Sequence, residues 1–145
     1  MARREYPERP VVGVGAIVFR DRSVLLIRRG KPPRAGQWSL PGGAQKLGET
    51  VRAALAREVR EETGIEIGAL SLVDVVDSIT PDDGDGRVRY HYTLVDMAAE
   101  WRSGDLRPGG DAAECAWVSL ASLSDYALWD ETVRVIELAA AQRNR

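Results

Sequence analysis

Apolar residues run almost without interruption from Val11 to Phe19, broken only by Gly13 and Gly15. They resume from Val24 to Ile27 after the polar group Arg20-Asp21-Arg22-Ser23. Two β-branched runs joined by a short polar turn predict a β-hairpin. The next segment, Gly30-Lys31-Pro32-Pro33-Arg34-Ala35-Gly36, fits neither helix nor central strand, because prolines lack a backbone donor and glycines are costly to order. It reads as a surface loop. Trp38-Ser39-Leu40 then precedes Pro41-Gly42-Gly43, where a tight turn with close backbone approaches is expected. From Thr50 the period changes. Val51, Ala54, Leu55 and Val59 recur at helical spacing, with Thr50 placed to cap the helix and Gly64 to stop it. Residues 69–79 and 87–97 read as paired strands across the turn-rich Pro81-Asp82-Asp83-Gly84-Asp85-Gly86. Residues 100–111 are polar and glycine-containing, and residues 115–120 return to strand character. Asp130 stands where it can cap a closing helix through Val133, Ile136 and Ala140. This order predicts an α/β fold with a mixed sheet flanked by helices, in preference to regular parallel βαβ units.

The 145 residues, 44% of them hydrophobic, suit one domain over residues 11–145, preceded by a charged, proline-bearing arm over residues 1–10. Twenty basic and 22 acidic residues give a net charge of -2, which supplies no global positive field for nucleic acid or an anionic membrane. Cys115 is the only cysteine, which excludes an internal disulfide and a zinc knuckle and fits a reducing, cytoplasmic setting. No stretch approaches the ~18 consecutive apolar residues of a membrane span, and nothing repeats at a fixed period.

The chemistry concentrates in the central helix. At ~100° per residue, Glu58 and Glu62 lie within roughly 40° of each other, with Glu61 about 60° to the other side of Glu58. A solvated face is the common explanation of such a cluster. Here, however, Val51, Ala54 and Leu55 fall in the same angular sector, so the inward stripe begins apolar and turns acidic toward its end. Like charges at i,i+3 and i,i+4, and acids near a helix C-terminus, each cost some tenths of a kcal/mol. A hard divalent cation would offset this. Mg²⁺, with Mn²⁺ as substitute, prefers carboxylate and phosphate oxygens, and a phosphate substrate is implied. Asp83-Gly84-Asp85-Gly86 fails the EF-hand pattern. Gly13-Val14-Gly15 lacks the third glycine of a dinucleotide fingerprint where Val18 stands, and no P-loop is present.

These residues carry a resemblance. Gly43 to Ile65, with Glu49 and Arg57-Glu58-Val59-Arg60-Glu61-Glu62-Thr63-Gly64, resembles the complete Nudix box at every defined position of that 23-residue motif. The resemblance implies an α/β/α sandwich with the mixed sheet between helices. It also implies hydrolysis of a nucleoside diphosphate linked to a further moiety. Glu58, Glu61 and Glu62 correspond to metal-binding and water-activating carboxylates, and Gly42 to a residue whose carbonyl joins the coordination. Glu49 and Arg57 correspond to supporting residues, Arg57 gripping Glu49 or a neighbouring acid through its planar guanidinium. The family takes its proton acceptor either from the box or from a loop near the C-terminal strand, which leaves Glu58, Glu114 and Asp111 as candidates, Asp111 also as a metal ligand.

Around this motif, Arg28 and Arg29 end a strand where they either receive substrate phosphates or are simply solvated. Trp38 is a candidate stacking platform. Tyr90 and Tyr92 alternate with Val88 and Leu94 as an inward strand face should, so core packing is expected of them. His91 points the other way and is given no catalytic role. Family resemblance ties a proline about this far beyond the box to ADP-ribose hydrolysis, and Pro81 lies 16 residues after Ile65. The expected substrate is therefore ADP-ribose or another nucleoside diphosphate sugar, cleaved to a nucleoside monophosphate and a sugar phosphate. The alternatives are a nucleoside triphosphate pyrophosphohydrolase and a non-catalytic nucleotide-binding module. The expected partner is a small-molecule nucleotide, without nucleic acid or membrane, and a homodimer is left open.

Overall fold

The computed structural model describes residues 4–32 and 34–144. The first hairpin, β1 (Val11–Arg20) and β2 (Ser23–Arg29), forms where the two apolar runs predict it, with Phe19 opposite Val24. β1 is buried on both faces from Gly13 to Phe19 because it is a central strand, which explains why its sequence does not alternate. Along one edge it runs parallel to β7 (Val88–Ser103), from Val11 beside Tyr92 to Phe19 beside Glu100. Its other edge is shared. Gly13 to Gly15 pair with β4 (Gly42–Ala44), and its last residues pair with β2. β2 also carries β3 (Trp38–Ser39) and β8 (Ala112–Ser119), while β7 carries β5 (Glu66–Ile67) and β6 (Ser71–Pro81). The sheet is mixed, as expected, and β1–β7 is its one parallel pair among the described residues.

Two helices close the sandwich from opposite sides. α1 (Val51–Thr63) packs Ala54, Leu55 and Val59 against Val14, Ala16, Val18 and Leu25. α2 (Asp130–Arg143) packs Val135, Ile136 and Ala139 against Ile17, Phe19, Val24 and Leu26. Alternate residues of β1 and β2 thus serve different helices, as the two-residue strand period requires. Full burial of Leu55 alone contributes about 1.5–3 kcal/mol. Thr50 caps α1 by accepting from the Ala53 amide, and Gly64 ends it at φ 78°, donating its N–H to the Arg60 carbonyl.

Three expectations need correction. Gly42-Gly43 is a short strand and not a tight turn, because β1 offers it an edge that local sequence cannot reveal. β7 runs on to Ser103 through residues assigned to a polar connection, since β1 and the short β5 both pair with that extension. Asp130 is the first residue of α2, after Trp129 at the cap position, and no side chain caps that end. A 3-10 helix over Leu120–Tyr126 precedes it and buries Leu123. Among the described residues no helix is long and apolar enough to cross a membrane. Of the N-terminal arm, Met1 to Arg3 lie outside the described residues. Tyr6 is tied to β7 by a bond from its amide to the Arg89 carbonyl (2.7 Å), and its hydroxyl donates to Asp82.

Candidate active site

The acidic end of α1 meets β4 at the sheet edge. The two glycines of β4 are required by contact. A Cβ on Gly42 would lie 1.9 Å from the Val14 carbonyl oxygen, and one on Gly43 would lie 2.6 Å from the Glu58 carboxyl group. The backbone can therefore press directly onto the helix. The Gly42 amide donates to Glu62 Oε1 at 2.7 Å, and the Ala44 carbonyl accepts from Arg57 Nη2 at 3.2 Å. Residues two apart on a strand present their polar groups to the same side. Hence the Gly42 carbonyl also faces the helix.

Arg57 organises the acids. Its Nε and Nη2 hold both oxygens of Glu49 at 2.7 and 2.9 Å, while Nη1 reaches Glu58 at 2.7 Å and Glu61 at 3.3 Å. The expected Arg57–Glu49 pair is present in bidentate form. Arg57, followed by the Lys46 amide, holds the Glu49 carboxyl down to about 2. Glu62 is only 2% exposed. Burial drives its carboxyl up to about 8 against the Gly42 amide, and the neighbouring charge of Glu58 adds to the rise. Glu58 is raised for the same first reason, opposed by Arg57 and reinforced by Glu61 and Asp111. The Glu61 side chain, 50% exposed, stands at the rim.

This donor set is entirely oxygen, which suits Mg²⁺ or Mn²⁺. Among the described residues, no three acidic, histidine or cysteine side chains converge as a ready-made cage. The fit therefore depends on Glu58 and Glu62, with Glu61, the Gly42 carbonyl, water and substrate oxygens completing the shell in the manner Mg²⁺ favours. Buried Glu62 and half-buried Glu58, both pushed up by burial and by neighbouring acids, are a deficit of positive charge that such a cation corrects.

Beside the cluster opens a cavity of about 650 Å³. Arg29, Asp111, Gly42 and Gly43 line it at the glutamate end, and Trp38, Leu40, Tyr92, Leu94 and Asp96 form walls farther in. Asp111 pairs with Lys31 at 3.2 Å, and its charge reaches both Glu58 and Glu62. Arg29 lowers the Glu62 carboxyl from the same side. The structure does not bring Arg28 and Glu114 to this cluster. They are register partners on β2 and β8, bonded to each other at 2.9 Å, and they share the parity of Leu26, Ala116 and Val118, which face α2. One residue along a strand reverses the face, so adjacent Arg28 and Arg29 separate. Tyr90 and Tyr92 also need correction. They line the cavity instead of filling the core, because α2 begins at its rim, where Glu131 and Thr132 also line it. Asp96 escaped the sequence reading, although an acid continuing the inward parity of Tyr90, Tyr92 and Leu94 was a legible signal.

The NUDIX domain family model matches residues 9–139. The chain belongs to the Nudix hydrolase family. An ADP-ribose pyrophosphatase of Methanocaldococcus jannaschii is 37% identical over 124 residues, 86% of this chain and 70% of that protein. A putative 8-oxo-dGTP diphosphatase 2 of Mycobacterium tuberculosis is 42% identical over 116 residues, 79% of this chain and 77% of that protein. The crystal structure of a MutT NUDIX hydrolase from Burkholderia pseudomallei superposes with a TM-score of 0.77 at 35% identity, covering 90% of this chain and 98% of that one. The α/β/α sandwich is thus the Nudix fold, and the acidic helix with β4 is its Nudix box.

Proposed function

We propose that this Nudix hydrolase cleaves a phosphoanhydride bond in a nucleoside diphosphate linked to a further group. The reading is carried by one observation: buried Glu62 and half-buried Glu58 held against Gly42 and Gly43 at one end of a cavity large enough for a nucleoside. Glu58, Glu61, Glu62 and the Gly42 carbonyl would hold the cation. When bound, it supplies charge neutralisation on phosphate oxygens and acidifies water. Arg57 and Glu49 position Glu58 through the bidentate grip. Glu58, whose proton affinity burial raises above that of an ordinary carboxylate, takes the proton of the attacking water. Asp111 adds negative charge at the same end, and Arg29 receives a substrate phosphate.

ADP-ribose or another nucleoside diphosphate sugar is the first substrate to test, supported by the similarity to the archaeal ADP-ribose pyrophosphatase. Pro81 contributes less than expected, since it ends β6 exposed and off the cavity wall. A triphosphate reading draws support from the similarity to the mycobacterial diphosphatase. Product analysis with Mg²⁺ across ADP-ribose, nucleoside diphosphate sugars and triphosphates separates them. Monophosphate and sugar phosphate support the first reading, pyrophosphate supports the second, and no cleavage of any member refutes the hydrolytic proposal.

A further inference from the structure

Asp96 is a buried acid that no catalytic step uses. It is 6% exposed, yet among the described residues neither a hydrogen bond nor an ion pair engages its carboxyl group. Arg134, the cation whose field reaches it, is occupied by Asp74 at 2.9 Å and Glu131 at 2.7 Å. No side-chain oxygen of the described residues is both fully enclosed and unpartnered. The Asp96 oxygens therefore open into the cavity that the residue lines. Above Gly15 there is room for this only because glycine stands there. A Cβ on Gly15 would lie 2.4 Å from Asp96 Oδ1. Burial, then the charge of Asp74, pushes the carboxyl up to about 7, so its present surroundings leave the ionised form poorly compensated.

The position relative to the glutamates sets the ligand. Asp96 is the register partner of Gly15 on β1, and Gly15 is the partner of Gly42 on β4. Two strand spacings, roughly 10 Å, separate Asp96 from the box. That is the order of the distance from the 5′-phosphate of a nucleotide to the polar edge of its base. The same cavity is lined by apolar side chains and by a glycine: Gly13, Trp38, Leu40, Tyr92 and Leu94. A planar base seated against them can direct its polar edge at the carboxyl.

We propose that Asp96 is the specificity-determining residue of the cavity, accepting a hydrogen bond from the exocyclic amino group of an adenine or guanine base. The proposal rests on the reading that the glutamate end takes the phosphates. A site built to receive a donor discriminates strongly against a ligand lacking it. Deamination is the sharpest test, because hypoxanthine differs from guanine only in the missing amino group, and from adenine by an oxygen in its place. Calorimetric titration with AMP, GMP and IMP, none of which has an anhydride to cleave, reads base recognition alone. Wild-type protein is expected to bind AMP or GMP at least ten-fold more tightly than IMP, the stronger of the two identifying the base. Asp96→Asn, which both donates and accepts, should bring that ratio below about three-fold. Equal binding of all three by the wild type, no binding of any, or an unchanged ratio in Asp96→Asn overturns the assignment. Turnover of the matching triphosphates and diphosphate sugars is measured in parallel. Selective binding without turnover would refute the hydrolytic proposal alone, and turnover with no base selectivity would refute the role of Asp96 alone.

Discussion

Replacing Glu62 by Gln separates the electrostatic cost of the site from its chemistry. The amide keeps the shape and an oxygen to accept the 2.7 Å bond from Gly42, but removes the charge. In the metal-free protein the Glu62 carboxyl titrates at about 8 instead of 4.5. Between those values the native state holds a proton that the unfolded chain has released, so unfolding free energy falls as pH rises across the window. Below 4.5 both states are protonated and the penalty is absent, whereas above 8 it is complete. At about 1.4 kcal/mol per pH unit the upper bound is near 5 kcal/mol. Because Glu58 shares the repulsion, an effect on the order of 2–5 kcal/mol is expected. Urea denaturation in EDTA at about pH 4.5 and 8.5 measures it. Glu62→Gln should lose less stability than wild type between the two conditions by that amount, while Mg²⁺-dependent turnover falls at least a hundred-fold. Equal pH dependence of the two proteins would show that burial does not strain the Glu62 carboxylate. Undiminished turnover would remove it from the mechanism.

Further outcomes follow from single contacts. Gly43→Ala places a methyl group 2.6 Å from the Glu58 carboxyl, so steady-state kinetics should show a loss of ten-fold or more while circular dichroism shows a folded protein. Arg57→Lys removes the bidentate grip on Glu49. A kcat reduced ten-fold or more with little change in KM is expected, and equal rates would make the pair merely structural. Glu114→Ala and Arg28→Ala, which pair with each other and do not line the cavity, should leave kcat/KM within about two-fold, and a larger loss would show that this pair takes part in the reaction. Asp96→Leu should stabilise the free protein near pH 8, because the carboxyl it removes is pushed up to about 7 without a partner, and should leave stability near pH 4 less changed. Thermal melts at the two pH values test the sign.

The sequence alone determined the helix from Thr50 to Gly64, the hairpin before it and the identity of the acidic set. These depend on local periodicity, caps and turn residues within a few positions of one another. The bidentate Arg57–Glu49 contact was also legible, since both residues belong to one contiguous motif. Tertiary structure decided the rest. Gly42-Gly43 became a strand because β1 lies beside it, and β7 lengthened because distant segments offered it edges. Arg28 and Arg29 diverged because a strand reverses its side chains at every residue, so which of two adjacent cations meets the glutamates depends on the face each helix covers. Asp96 acquired its meaning in the same way. Its parity was written in the chain, but whether that inward face would be filled by a helix or left open as a cavity was fixed only where α2 begins.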